Sequence, residues 1–93
     1  MLLKEKAVYR QGGHAFYVLK RAPYSAFDNG RAWLLDLNTY SLWDYCPRRY
    51  LLANYATGKM VDIQHKVFEL QDPHLLTDKD KQVIAEKLKI VMQ

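Results

Sequence analysis

The sequence predicts an α+β fold: a small antiparallel β-sheet of three or four strands, in the order β-β-β-α-β-α, packed by two helices. Three observations carry this expectation. Apolar and polar residues alternate on both sides of Gly12-Gly13. Residues 77–92 repeat apolar side chains at helical spacing behind a capping sequence. Between them, Pro47 and Gly58 bracket a run rich in leucine and tyrosine.

Residues 5–11, "EKAVYRQ", read as a first strand. Gly12-Gly13 supplies the positive φ that a two-residue hairpin turn needs. Residues 14–21, "HAFYVLKR", return as a second strand rich in aromatic and β-branched types. This register sets Tyr9 opposite Phe16 and Val8 opposite Tyr17. "APYSAFDNG" is a connection whose turn is Asp28-Asn29-Gly30. Residues 31–37 form a third strand, with Arg31, Trp33, Leu35 and Leu37 on one face. Ala32, Leu34 and Asp36 take the other.

Pro47 organises the next segment, "SLWDYCPRRYLLANY". Proline suits the first turn of a helix, and Cys46 before it is pushed out of helical φ/ψ. The expectation is a helix from Pro47 to Thr57, ended by Gly58 in the left-handed region. Leu51, Leu52, Tyr55 and Ala56 would then face inward, after a turn or short helical piece over Ser41–Tyr45. Arg48 and Arg49 would sit in the first helical turn, where cations are disfavoured by the helix dipole. Residues 60–70 alternate Val61, Ile63, His65 and Val67 against Asp62, Gln64 and Lys66, which predicts a strand that slips at Phe68. Asp72-Pro73 ends it. Thr77-Asp78-Lys79-Asp80 is close to a capping box, and Ile84, Leu88 and Val91 form the apolar stripe of a terminal helix.

Ninety-three residues make one domain, residues 1–93. No apolar run reaches the ~18–20 residues of a membrane span, so no membrane partner is expected. "MLLKEKAVY" meets charge after two leucines, unlike a secretory signal. One cysteine permits neither an internal disulfide nor a cysteine-based zinc site, and the expected location is the cytoplasm. The net charge of +4 is unevenly spread. Residues 1–50 carry eight Lys/Arg against four Asp/Glu, whereas residues 51–93 carry six of each. All five arginines and all aromatics except Phe68 lie at or before Tyr55.

Catalytic signatures are sparse. Cys46 has no local histidine, and His14, His65 and His74 share no metal-ligand spacing. "QGGH" lacks the glycine spacing and the lysine of a phosphate loop. No metal and no cofactor are expected, and the chain is read as a non-enzyme. Its excess of Arg, Tyr and Trp is the residue set of binding hot spots. The leading expectation is therefore a small protein-interaction module, a regulator or inhibitor of a protein or nucleoprotein complex, with a homodimer possible. In size and composition alone it resembles the small regulators encoded by phages and other mobile elements. The partner-binding candidates are Arg10, Tyr17, Arg31, Trp33, Trp43, Tyr45, Arg48 and Arg49. The same residues suit a nucleic-acid-binding protein that stacks bases and contacts phosphates. A third reading is a metal-independent ribonuclease assembled from His14, Arg10, Arg31, Arg48 and Tyr17.

Overall fold

The computed structural model describes residues 3–21, 31–47, 49–63, 67–72 and 75–92. Seven strands form one antiparallel sheet: β1 (Val8–Gln11), β2 (His14–Arg21), β3 (Ala32–Asp36), β4 (Leu42–Cys46), β5 (Leu51–Asn54), β6 (Met60–Asp62) and β7 (Glu69–Gln71). A single described helix, α1 (Asp78–Val91), follows them. The strand order is β6-β5-β4-β3-β2-β1-β7, a six-strand meander to whose first strand β7 returns.

That topology forces curvature. Six interstrand spacings of about 4.8 Å would hold β6 and β7 some 29 Å apart in a flat sheet. The seven residue steps from Asp62 to Glu69 span ~25 Å at most. The sheet must curl to bring its two edges within that reach. Ile63 and Phe68 are buried on the concave face, whereas Val67 between them in sequence is exposed. The Phe68 ring meets Tyr9 of β1, Phe16 of β2 and Tyr45 of β4, with centroids 6.4, 6.1 and 5.1 Å away. A register shift between Val18 and Lys20 adds local twist to β2.

Two apolar clusters follow from strand alternation. The concave face encloses Leu3, Tyr9, Phe16, Val18, Ala32, Leu34, Tyr45 and Leu52, joined by Ile63 and Phe68. The convex face carries Val8, Tyr17, Leu19, Leu35 and Leu42 beneath Ile84 of α1, with Leu88 and Val91 packed alongside. Thr77 caps α1: its hydroxyl accepts from the Asp80 N–H, and the Asp80 carboxylate accepts from the Thr77 N–H. The Tyr40 hydroxyl donates to the same carboxylate at 2.6 Å and ties the β3–β4 turn to the helix.

The first hairpin matches the sequence expectation. Val8 pairs with Tyr17 and Tyr9 with Phe16, around Gly12 at φ 61°. The faces of β3 and the extent of α1 also match. The expected Asp28-Asn29-Gly30 turn lies outside the described residues.

Two expectations are corrected, and with them the small sheet and the second helix. Residues 42–54 form the β4–β5 hairpin, not a helix from Pro47 to Thr57. Pro47 opens a turn, in which the Arg49 N–H reaches the Cys46 carbonyl and the Tyr50 N–H reaches that of Pro47. Gly58, at φ 73°, ends the next turn instead of a helix. There the Asn54 side chain accepts from the Ala56 and Thr57 N–H groups, and the Gly58 N–H returns to the Asn54 carbonyl. The second correction concerns residues 60–70. They supply β6 and β7 on opposite edges of the sheet, and Phe68, just before β7, turns inward. His65 lies outside the described residues.

Candidate functional site

Helix α1 packs on β2 and β3, and the buried cluster beneath it draws no described residue from β5 or β6. The convex half of the sheet beyond the helix is therefore open among the described residues. Alternation along β3, β4 and β5 sends Trp33, Asp44, Cys46, Leu51 and Ala53 to this side. The turn at Tyr55 and the start of β6 at Met60 complete it. A shallow groove of about 280 Å³ runs between Arg31, Asp44, Cys46, Arg49, Leu51, Ala53 and Met60.

The groove has an apolar floor and a cationic rim. Met60 is 67% exposed and Tyr55 57% exposed. Tyr55 meets Trp33 edge-to-face, with centroids 5.8 Å apart. The Arg31 guanidinium grips both carboxylate oxygens of Asp44, through Nε at 3.1 Å and through Nη2. That two-point pairing fixes the guanidinium plane at the groove wall. Arg49, in the β4–β5 turn, is exposed and also lines the groove.

Of the eight sequence candidates, Arg31, Trp33 and Arg49 share this surface, and Arg48 lies outside the described residues. Tyr17 is buried beneath α1, where loss of solvent pushes its hydroxyl pKa up. Tyr45 is buried on the concave side, and burial again raises its pKa, helped by Tyr50 and Cys46. The expected outward turn for Trp43 and Tyr45 is replaced by strand β4. There both rings face the concave core, and the Trp43 indole N–H donates to the Ser41 hydroxyl at 2.8 Å. Arg10 is exposed on β1, opposite Glu69 of β7, in a separate groove that includes Leu75 and Asp80.

The residues of the ribonuclease reading do not converge. His14 lies at the concave face, bound to Asp36, whereas Arg10, Tyr17 and Arg31 are on the convex side. Among the described residues no group of three or more His, Cys, Asp or Glu side chains is arranged to hold a metal ion. No described helix is long and apolar enough to cross a membrane.

Sequence reasoning missed Tyr55 and Met60 as surface residues. The signal for Met60 was present: beside Val61 in a strand, it must take the opposite face. For Tyr55 there was none, because its position follows from the Asn54 turn. No protein-family model, curated protein or solved structure matches the chain.

Proposed function

We propose that this chain is a small non-enzymatic interaction module that binds an acidic protein surface through the open convex half of its sheet. It acts as a regulator or inhibitor by covering a working surface of that partner. The observation that carries this reading is the groove left open among the described residues: an aliphatic floor of Leu51, Ala53 and Met60, rimmed by Arg31 and Arg49, with the Trp33–Tyr55 ring pair on the same face of the sheet. Trp, Tyr and Arg around a desolvatable centre are the composition of binding hot spots. Two arginines against one aspartate leave the rim cationic, which complements an acidic protein and disfavours a second copy of the same face.

A protein fits this surface better than a nucleic acid. Phosphate binding draws on many uncommitted cations, and Arg31 is already held by Asp44. The Trp33 and Tyr55 rings meet edge-to-face and do not present two parallel platforms for bases.

The test is charge reversal at the rim. Arg49→Glu should retain the wild-type melting temperature and weaken the partner captured by the wild-type chain roughly tenfold or more. Equal binding by Arg49→Glu would remove the acidic-partner reading. A captured species destroyed by nuclease, with affinity falling steeply with salt, would replace it with nucleic-acid binding.

A further inference from the structure

Two hairpins of the sheet repeat one another. Residues 31–45 and 49–63 align without a gap, and Arg31 and Arg49, Leu34 and Leu52, Thr39 and Thr57, and Asp44 and Asp62 fall at matching positions. The structure follows the alignment. Trp33 pairs with Asp44, Leu34 with Trp43 and Leu35 with Leu42 across β3–β4. At the matching positions, Leu51 pairs with Asp62, Leu52 with Val61 and Ala53 with Met60 across β5–β6. The Asp36 N–H donates to the Ser41 carbonyl in one hairpin, and the Asn54 N–H to the Lys59 carbonyl in the other, at 2.9 and 2.8 Å. Strand β6 is therefore the counterpart of β4.

The counterparts differ in what lies beyond them. On β4 sits β5: Asp44 is opposite Ala53, Tyr45 is opposite Leu52, and the Tyr55 N–H donates to the Leu42 carbonyl at 2.9 Å. Among the described residues, β6 ends the sheet. The Lys59 carbonyl and the Ile63 N–H both point to β5, which they reach at Asn54 and Tyr50. Backbone direction alternates along an antiparallel strand, so Met60 and Asp62 between them turn their N–H and C=O groups away from β5. Met60 and Asp62 match Leu42 and Asp44, whose backbone groups face β5. The far edge of the sheet is blunted instead: the Gln71 side-chain amide donates to the Glu69 and Leu70 carbonyls of its own strand, at 3.2 and 3.3 Å.

Cations stand at both ends of the β6 edge. Lys59 precedes Met60 and is exposed, and exposed Arg49 adjoins Tyr50, whose carbonyl takes the Ile63 N–H. One carboxylate, Asp62, lies between them.

The geometry points to β6 as the seat of an extended, acidic segment of the partner protein, added as an antiparallel strand in the way that β5 is seated on β4. This inference rests on the reading of the adjoining groove as a protein-binding surface, and Met60 belongs to both. A small residue of the segment lies opposite Asp62, as Ala53 lies opposite Asp44, and an apolar one lies opposite Ile63, as Leu52 lies opposite Tyr45. Main-chain hydrogen bonds to Met60 and Asp62 supply affinity, and alternate side chains supply selectivity.

The test is NMR titration of the full chain with two synthetic peptides. One carries the β5 pattern between acidic ends, DEYLLANYED, and the other has lysine ends, KKYLLANYKK. Saturable shifts of the Met60 and Asp62 amides with the acidic peptide, slowed hydrogen exchange of the Met60 N–H in the complex, and roughly tenfold weaker binding of the lysine-ended peptide are expected. Proline is tolerated on an edge strand where the missing N–H faces outward, so Met60→Pro should fold as the wild type does. Met60→Ala removes the same side chain and keeps the N–H, so Met60→Pro should bind the acidic peptide roughly tenfold more weakly than Met60→Ala. No saturable shift at millimolar acidic peptide, unchanged exchange of the Met60 N–H at saturation, equal binding of the two peptides, or equal binding by the two variants would overturn the strand addition. A dimer of the chain alone that Met60→Pro dissolves would overturn it too, by giving the edge to a second copy. Strand addition fails by itself if Met60→Pro captures the partner as Met60→Ala does while Arg49→Glu does not. The groove reading fails if Arg49→Glu captures the partner as the wild type does.

Discussion

Asp80 illustrates how one side chain joins three parts of this chain. Burial pushes its carboxyl pKa up, but hydrogen bonds from the Tyr40 hydroxyl and from Thr77 outweigh that and hold it below the ordinary carboxylate value. A depressed folded pKa contributes stability that is present above the unfolded value, near 4, and is lost as pH falls through the lower folded value. Acid should therefore loosen α1 from the sheet. Asp80→Asn should flatten the fall of stability below about pH 4, measured by urea unfolding across pH. Tyr40→Phe removes the donor and should lower the melting temperature at neutral pH while shrinking the same acid limb. Gly58 gives a backbone counterpart. Its φ of 73° is costly for any residue with a Cβ, so Gly58→Ala should cost roughly 1–2 kcal/mol in the same unfolding measurement.

Among the elements, the contrast between the two hairpin regions shows what could be read from the chain. The β1–β2 pairing was legible because Gly12-Gly13 sets a short turn between two alternating runs, and register follows from the turn. The terminal helix was legible from its cap and its apolar stripe. Residues 42–54 were not. Pro47 serves a helix start and a turn equally well, and Leu51-Leu52 satisfies either period. The deciding information was in the turns. Asp36 and Asn54 each cap the N–H groups two and three residues on, and Tyr40 and Gly58, four residues on, take positive φ. Thr39 and Thr57 repeat too, each accepting from the N–H two residues later. "DLNTYS" and "NYATGK" are thus the same turn, recognisable only when set side by side. Phe68 was legible as a break in alternation but not as the residue that fills the curl, since its neighbours come from β1, β2 and β4. Phe68→Ala should cost about 3–5 kcal/mol in urea unfolding. A loss well below that would contradict its place inside the sheet.

For the whole molecule, the governing fact is an imbalance: seven strands and one described helix. Ile63 and Phe68 close the concave face, and among the described residues the convex face is covered only where α1 lies. The candidate site was half visible in the sequence. Arg31 and Arg49 were singled out and do line the groove, and Trp33 lies on the same face against Tyr55. Trp43 and Tyr45 were assigned outward because a turn was expected there, just before a helix start at Pro47, and strand alternation turns both inward. The proposed binding face makes a direct comparison possible between two exposed apolar residues at opposite edges of one sheet. Met60 is 67% exposed on β6 beside the groove, and Leu70 is 62% exposed on β7 at the far edge. Met60→Glu and Leu70→Glu are equally conservative toward folding and should share the wild-type melting temperature. The most direct measurement is the affinity of each for the protein captured by the wild-type chain. Loss of binding by Met60→Glu, roughly tenfold or more, with full binding by Leu70→Glu, is the predicted result. Full binding by Met60→Glu, or loss confined to Leu70→Glu, would contradict it.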